Sequence, residues 1–275
     1  MDKIALVTGA SGFVGKHVCN SLSGLGYRLR LIVRNPSQAS TRDRDQVLTT
    51  PDLFKESLEW LSDACAGVDL VIHLAWHVDP ADYLSSDKNL ECTEGTLRLA
   101  RAANVSQVRR FVGIGTCFEY DLSAGVLSTS TPLKPASLYG SCKAATFFAL
   151  SKYFEGTSTD FLWCRLFYLY GEGEKPGRLV PYVREQLSKG AVAELTSGKQ
   201  IRDFMNVGDA AELIATLARG KSCGAVNICS GIPKSVRELA EDIADEYGSR
   251  NLLRFGARKD NAVDPLCIIG VRNFS

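Results

Sequence analysis

Tyr139 and Lys143 are four residues apart, a spacing that could support proton transfer. On a helix this spacing is just over one turn, so the two side chains lie on the same face. A free tyrosine exchanges its proton poorly near neutrality because its pKa is about 10. A nearby ammonium group favours the phenolate and should lower that pKa. The pair therefore predicts a proton donor tuned by lysine; an incidental pair at this spacing is the alternative.

Thr116 supplies a hydroxyl group that could join this pair. It follows an apolar run at residues 110–115, which predicts a buried strand. Ligands in open parallel sheets collect at the carboxyl ends of the strands. The order of Thr116, Tyr139 and Lys143 along the chain, after a glycine-rich turn, favours a catalytic centre over a chance arrangement.

Three glycines near the N-terminus, Gly9, Gly12 and Gly15, stand between a predicted strand and a predicted helix. Residues 4–7 are apolar, as in a buried parallel strand, and helical spacing of apolar residues begins at Phe13. Such glycines permit a sharp turn, close approach to a pyrophosphate and tight packing of the helix on the strand. The phosphates would lie on the free N–H groups of the helix. The motif predicts a dinucleotide site; a turn without a ligand is the alternative.

The end of the second predicted strand, residues 29–33, distinguishes the two nicotinamide cofactors. A carboxylate there would accept hydrogen bonds from both ribose hydroxyls of NAD, whereas a cation suits the 2′-phosphate of NADP. The residue at this point is Arg34, and the next acidic residue is Asp43. We therefore predict NADP(H); a solvated arginine at a strand end is the alternative.

Strand-like and helix-like segments alternate along the rest of the chain, and residues 35–50 are polar and irregular. Further strands are predicted at residues 68–74, 110–115, 161–169 and 225–229, and helices at 58–65, 83–103, 137–154, 179–188 and 236–247. The alternation predicts an α/β fold: a doubly wound parallel sheet (Rossmann fold) with a small C-terminal substrate-binding lobe. We assign residues 1–170 with 196–222 to the NADP-binding domain and residues 171–195 with 223–275 to the lobe.

The composition excludes several broad classes of function. The net charge of +1 over 275 residues argues against a nucleic-acid or anionic membrane surface. No apolar run approaches the roughly 20 residues that span a bilayer, and the N-terminus lacks the pattern of a secretory signal. The nine cysteines include no Cys-x-x-Cys pair, which indicates reduced thiols, no metal site and a cytoplasmic protein.

The segment from Thr8 to Gly15 (TGASGFVG) resembles the cofactor loop of the extended short-chain dehydrogenase/reductase family, which includes nucleotide-sugar epimerases, dehydratases and 4-ketoreductases. The resemblance continues along most of the chain. His73 matches a packed histidine, satisfied by backbone. Asn89 matches an asparagine that supports backbone or water near the cleft; a helix asparagine without such a role is the alternative. The cofactor contacts that the resemblance implies are Gly9, Ser11, Gly12, Phe13, Val14, Gly15, Arg34, Asp52, Leu53, Leu74, Ala75, Tyr139 and Lys143.

The segment from Thr116 to Tyr120 (TCFEY) resembles the family's Ser/Thr-x-x-x-Tyr, whose first residue hydrogen-bonds the reacting oxygen. The family's 4,6-dehydratases carry Asp-Glu directly after that threonine. Here Cys117 and Phe118 stand in those places and cannot act as acid and base, so dehydration is not expected. The resemblance assigns catalysis to Thr116, Tyr139 and Lys143.

Substrate contacts follow from the same resemblance. Residues 165–171 match the family's Arg-x-x-Asn-x-Tyr-Gly, with Tyr168 in place of the asparagine. Residues 198–211 match its Arg-Asp-Phe segment, in which the arginine, here Arg202, grips the nucleotide diphosphate. Asp264-Pro265 is similar to an acidic-proline segment near the nucleotide. The predicted substrate contacts are His77, Cys117, Phe118, Tyr168 and Arg202.

The resemblance implies redox chemistry on a nucleotide-activated sugar. We expect NADPH-dependent reduction of the 4-keto group of a nucleotide-diphosphate 4-keto-6-deoxy sugar. The alternatives are a nucleotide-sugar 4-epimerase with tightly bound NAD and a non-catalytic NADP-binding regulator. The helix at residues 137–154 is apolar on most faces. We therefore expect a homodimer through this helix; burial beneath the chain's own C-terminal lobe is the alternative.

Overall fold

The computed structural model describes residues 3–39, 41–261 and 265–273. The helices are α1 (Phe13–Gly24), α2 (Leu58–Cys65), α3 (Lys88–Val105), α4 (Leu138–Glu155), α5 (Leu179–Ser188), α6 (Val207–Arg219) and α7 (Val236–Glu246). The strands are β1 (Ile4–Thr8), β2 (Arg28–Val33), β3 (Gln46–Thr49), β4 (Leu70–His73), β5 (Arg110–Thr116), β6 (Val126–Leu127), β7 (Asp160–Leu166), β8 (Tyr168–Tyr170), β9 (Ala193–Leu195), β10 (Ile201–Asn206), β11 (Gly224–Ile228), β12 (Pro233–Ser235), β13 (Leu253–Phe255) and β14 (Cys267–Gly270).

A seven-stranded parallel sheet forms the centre of the molecule, in the order β11-β7-β5-β4-β1-β2-β3. The strand order reverses between β1 and β4, so the carboxyl ends of these two strands flank a crevice where ligands of such sheets collect. The predicted doubly wound α/β fold is confirmed.

Helices cover both faces of this sheet because its strands are apolar on both sides. On one face, α1 and α6 contribute Val18, Leu22, Ala211 and Ile214 to a buried cluster. On the other face, α2, α3 and α4 bury side chains such as Leu61, Leu99 and Phe154. Each such large side chain stabilises the fold by roughly 1.5–3 kcal/mol relative to exposure. These helices fix the edge of the sheet that carries the predicted site residues.

A smaller mixed sheet contains two of the predicted substrate residues, Tyr168 in β8 and Arg202 in β10. Its strands run in the order β12-β10-β14-β6, and β8 also pairs with β10. A separate cluster between α5 and α7 includes Val183, Leu187 and Ile243. The predicted boundary placed residues 223–275 in the lobe, whereas β11 lies at the edge of the large sheet. The division of roles between the two parts remains a proposal.

Several element boundaries differ from the prediction. The helices over residues 58–65 and 179–188 are confirmed, but the helix expected from residue 83 begins at Lys88, after turns over residues 79–87. The run at residues 161–169 divides at Phe167, because β7 pairs with β5 in the large sheet and β8 pairs with β10 in the small one. Residues 35–50, predicted to be irregular, contain the edge strand β3. Among the described residues, no helix combines the length and apolar content that crossing a bilayer requires.

Candidate active site

The glycine turn has the shape of a phosphate cradle. Gly9 has φ of +71°, and a Cβ there would lie 2.7 Å from the Ala75 amide nitrogen. A Cβ on Gly15 would overlap the Gly9 carbonyl oxygen. Gly12 is exposed and caps α1 without any side chain over the N-terminal amides. These features fit a dinucleotide pyrophosphate, which needs open N–H groups at a helix N-terminus.

The other predicted cofactor residues share this edge of the large sheet. Arg34 is exposed directly after β2, and Asp52 follows β3, where its carboxylate accepts the Phe54 N–H at 3.1 Å. The backbone N–H of Leu74 donates to Thr8 O, and that of Ala75 donates to the Thr8 hydroxyl, both at 3.2 Å. Leu53 lies in the short 3₁₀ helix that Asp52 caps, and Ser11, Phe13 and Val14 are half-buried around the glycine turn.

The structure brings Thr116, Tyr139 and Lys143 together. Thr116 is the last residue of β5, and the other two lie one turn apart on α4. The Thr116 hydroxyl lies close enough to the Tyr139 phenol to lower the pKa of Tyr139. The Lys143 ammonium group is 3% exposed and donates to the Ile114 carbonyl oxygen at 2.6 Å. A phenol, a hydroxyl group and an ammonium group thus meet where β5 ends.

The direction predicted for the pKa of Tyr139 is wrong. Burial raises the pKa of Tyr139, and the neighbouring Thr116 hydroxyl lowers it only in part. Burial also lowers the pKa of Lys143 to about 7, against an opposing contribution from Glu119. Desolvation is the largest cause of both pKa shifts, and the Lys143 ammonium group donates to the Ile114 carbonyl oxygen. In the free protein Tyr139 is therefore a protonated donor at neutral pH.

Trp76, which directly follows Ala75, is a site residue that the sequence interpretation missed. Its ring centroid lies 3.7 Å from the Lys143 ammonium nitrogen. Its indole N–H donates to the Asn89 side-chain oxygen at 2.8 Å, and the Asn89 amide donates to the backbone oxygens of Tyr83 and Ser86. Asn89 therefore supports backbone near the cleft, as the resemblance implies. An aromatic residue immediately after Leu74-Ala75 was the available signal.

His73 is a packed structural histidine, but side chains rather than backbone satisfy it. Its Nδ1 lies 2.8 Å from the Thr8 hydroxyl and its Nε2 lies 2.8 Å from the Thr96 hydroxyl. Because Thr96 donates its proton to the Cys92 carbonyl, it accepts the Nε2–H of His73. Burial lowers the pKa of His73 to about 3, so the ring is neutral. This chain of hydrogen bonds joins the ends of β1 and β4 to α3.

A buried ion pair between Glu119 and Arg165, which was not predicted, fixes the backbone of Thr116. The Thr116 N–H donates to Glu119 Oε1 at 2.8 Å, and Arg165 Nε donates to Glu119 Oε2 at 2.6 Å. The Trp163 indole N–H donates to the same carboxylate at 3.0 Å. Glu119 and Arg165 are 0% and 1% exposed. Their contact connects β5 to β7 beneath the predicted catalytic hydroxyl.

Three of the five predicted substrate residues lie together, and the other two make separate contacts. Phe118, Tyr168 and Arg202 lie together: the first two rings are 6.3 Å apart, and the Arg202 guanidinium lies 5.3 Å from the Tyr168 ring. Cys117 is 3% exposed in an apolar cluster, and burial raises the pKa of its thiol to about 12. His77 hydrogen-bonds Asp82 at 2.7 Å. Asp264 lies outside the described residues.

Sequence comparisons show which known proteins this chain is similar to. The family model described as "NAD dependent epimerase/dehydratase family" matches residues 5–229. The chain is similar to a dTDP-6-deoxy-L-talose 4-dehydrogenase (NAD(+)) of Aggregatibacter actinomycetemcomitans, with 23% identity over 97% of this chain and 99% of the relative. It is also similar to a CDP-abequose synthase of Salmonella muenchen, with 24% identity over 94% of this chain and 85% of the relative.

Solved structures show the same fold. A UDP-N-acetylglucosamine 4-epimerase from Methanobrevibacter ruminantium M1 has a TM-score of 0.86 at 20% identity, covering 98% of this chain and 90% of that structure. MoeE5 in complex with UDP-glucose and NAD has a TM-score of 0.80 at 26% identity, covering 97% of this chain and 88% of that structure.

Proposed function

The chain belongs to the NAD dependent epimerase/dehydratase family and is an oxidoreductase of the extended short-chain dehydrogenase/reductase type, and from this premise we propose its reaction. It uses NADPH to reduce the 4-keto group of a nucleotide-diphosphate 4-keto-6-deoxy sugar. One observation carries the proposal: Thr116 at the end of β5 lies beside Tyr139 on α4, with no acid–base pair at Cys117 and Phe118. The name of the talose 4-dehydrogenase relative describes redox chemistry at the same sugar position.

Tyr139, Thr116 and Lys143 would each have a separate role in the reduction. A bound nicotinamide would supply the hydride to the carbonyl carbon. Tyr139 would donate its phenolic proton to the carbonyl oxygen, and the neighbouring Thr116 hydroxyl would hold that oxygen in place. Lys143 lies one turn further along α4 and would bind the ribose of the cofactor. General acid catalysis of this kind contributes about 10²–10⁴-fold to a rate.

NADP(H) is the cofactor that Arg34 favours, since its guanidinium stands exposed at the end of β2. The names of the talose 4-dehydrogenase and the MoeE5 complex contain NAD instead. A comparison of kcat/KM for NADPH and NADH decides between them. Arg34→Ala should lower kcat/KM for NADPH by about tenfold, through the loss of one charged contact, and leave that for NADH unchanged.

The phosphate end of the substrate would lie on the small sheet. Arg202 in β10 is buried beside the Tyr168 ring, and its guanidinium group is of the kind that suits diphosphate oxygens. His77 and Cys117 remain predicted substrate contacts. The nucleotide sugar in the MoeE5 complex supports this class of substrate. In this assignment, residues 1–170 with 196–222 form the cofactor domain and also carry these substrate contacts. Residues 171–195 with 223–275, apart from β11, would form the lobe that completes the sugar-nucleotide site.

The reaction can be tested with a panel of 4-keto-6-deoxy sugars linked to dTDP, CDP, GDP and UDP. We expect NADPH absorbance to fall with at least one of them and a 4-hydroxy sugar to accumulate. If no ketosugar consumes NADPH or NADH, the reductase proposal fails.

A 4-epimerase is the second candidate function, because one relative, from Bacillus subtilis, carries the name "Uncharacterized UDP-glucose epimerase YtcB" at 26% identity. An epimerase keeps its NAD bound and returns the hydride to the other face of the same sugar. Tightly bound NAD in the purified protein, with interconversion of 4-epimers and no net cofactor consumption, would favour this candidate. A non-catalytic regulator would bind NADP and show neither activity.

A homodimer through α4 is consistent with the surface of that helix. Phe148 is 58% exposed and Tyr153 is 36% exposed on α4, and Leu90 on the neighbouring α3 is 50% exposed. Large apolar side chains on adjacent helices mark interaction surfaces. Light scattering should give twice the chain mass, and Phe148→Glu should shift the protein to the monomer. A monomeric wild type would contradict this proposal.

A further inference from the structure

We propose that Trp76 is a positioning residue for Lys143: its indole face holds the ammonium group at the end of β4 and favours the charged form. The catalytic meaning of this contact rests on the proposed function, but the contact itself does not. The ring centroid lies 3.7 Å from Lys143 Nζ, well within the range of a cation–π interaction.

Two partners fix the ammonium group from different directions. The Ile114 carbonyl oxygen accepts one N–H at 2.6 Å, and the Trp76 face receives the positive charge. Lys143 is 3% exposed, so water contributes little to its solvation. A cation–π contact gains strength when the cation is desolvated. The indole therefore replaces part of the hydration that Lys143 loses on folding.

The indole ring is itself held in orientation before any ligand binds. Its N–H donates to Asn89 Oδ1 at 2.8 Å. Asn89 is 0% exposed, and its amide donates to Tyr83 O at 2.7 Å and Ser86 O at 2.8 Å. The Tyr83 ring packs edge-on against Tyr139, with centroids 5.1 Å apart. Asn89 thus fixes the Trp76 ring on Lys143 and the Tyr83 backbone beside Tyr139.

The charged and titratable groups that face Lys143 leave part of the stabilisation of its ammonium form to the Trp76 ring. Glu119, next to β5, favours the ammonium form but is engaged by Arg165 at 2.6 Å. Cys92 on α3 and His73 on β4 also face Lys143. Burial raises the pKa of Cys92 to about 11 and lowers that of His73 to about 3, so both are neutral at pH 7.

Loss of the ring should therefore change the pH dependence. Burial lowers the pKa of Lys143 to about 7, so its charge is sensitive to its surroundings at neutral pH. Activity that needs the ammonium form falls as the pH rises through this value. Trp76→Leu removes the aromatic face and should move this limb of the kcat/KM profile about one pH unit lower. Trp76→Phe keeps a ring and should move it less.

A measurement on the free protein separates this inference from the proposed reaction. Trp76 emission should respond to the conversion of the touching ammonium group into an amine, with an inflection near pH 7. The Trp163 ring also lies near Lys143 Nζ, at 5.8 Å. The inflection should therefore lose most of its amplitude in Trp76→Phe and disappear in Lys143→Met. Trp60→Phe, which changes a tryptophan on α2, should retain it. The titration is made on protein freed of nucleotide, so it needs no substrate.

Three outcomes would overturn the inference: no inflection in the wild type, an inflection of undiminished amplitude in Trp76→Phe, or a pH limb in Trp76→Leu that stays in place or moves upward. If no ketosugar is reduced but the titration behaves as expected, the contact stands and the proposed function fails. If reduction is observed and the inflection is absent, the proposed function stands and the role of Trp76 is lost.

Discussion

The glycine turn and the Tyr139–Lys143 pair lie at the same edge of the large sheet, yet different physical requirements select their residues. In the turn, a Cβ on Gly9 or Gly15 would collide with backbone. At the pair, the backbone is an ordinary helix, and burial sets the proton affinity of both side chains. Steric demands within a short segment are visible in the sequence, whereas desolvation depends on what the rest of the chain places around a group.

The largest expected effect comes from breaking the turn. In Gly15→Val the new side chain overlaps the Gly9 carbonyl group. We expect the free energy of unfolding to fall by about 5 kcal/mol and the protein to lose cofactor binding. Gly24→Ala is the matched control, since a Cβ there meets nothing within 4 Å. It should be neutral or slightly stabilising in urea unfolding. Equal effects of the two changes would show that a steric collision with the Gly9 backbone does not require glycine at position 15.

Tyr139→Phe acts on the other region without changing its packing. Removal of the phenolic proton should lower kcat by about 10³-fold, or about 4 kcal/mol, while NADPH binding stays within about twofold. Steady-state kinetics and a fluorescence titration of the cofactor measure the two quantities. Tyr153→Phe, on the same helix, should retain full activity. Survival of turnover in Tyr139→Phe would rule out this residue as the proton donor.

Glu119→Gln tests whether burial also stabilises the reaction centre. The change leaves Arg165 without its carboxylate in a site that is 1% exposed, so we expect a loss of about 3 kcal/mol in urea unfolding. Glu155→Gln removes one partner of an ion pair with Lys152 that is 62% exposed on the glutamate side. That control should cost less than about 1 kcal/mol. Similar costs for both variants would show that burial of the pair is not decisive.

The smallest effect concerns His73, the neutral histidine between the two regions. Its pKa is about 3 in the folded protein and about 6.5 in an unfolded chain, so the unfolded state binds more protons between these values. Stability should therefore decrease as the pH falls below 6.5, by about 2 kcal/mol at pH 5 from this group. His73→Asn should lose this part of the slope, and His17→Asn should keep it. If stability depends on pH in the same way in His73→Asn as in the wild type, then the pKa of His73 is not lowered in the folded protein and its buried imidazole becomes charged.

The sequence allowed the turn, the placement of Tyr139 and Lys143 on one helix and most strands of the large sheet to be predicted, because each depends on neighbouring residues. The strand β3 was missed because it is an edge strand whose Val47 and Leu48 are only half-buried. The strand β10 was interpreted only as a ligand segment, since its pairing partners β8, β12 and β14 come from distant parts of the chain.

The unpredicted parts of the site are contacts between residues that are remote in sequence. The Glu119–Arg165 pair and the Trp76–Lys143 contact each join two different elements. The wrong direction for the pKa of Tyr139 has the same origin. A spacing of four residues predicts proximity on α4, but it does not reveal that both side chains are buried or that Ile114 and Trp76 take the ammonium group.

Transfer of a labelled hydride tests the proposed reaction most directly. NADPH deuterated at the transferring position is incubated with the wild type and with Tyr139→Phe, in the presence of the 4-keto-6-deoxy sugar that the panel identifies. NMR of the sugar product should show deuterium at C4 with the wild type and essentially none with the variant. Deuterium-free product, formed by a protein that retains bound NAD and interconverts 4-epimers, would contradict the reductase and establish the epimerase.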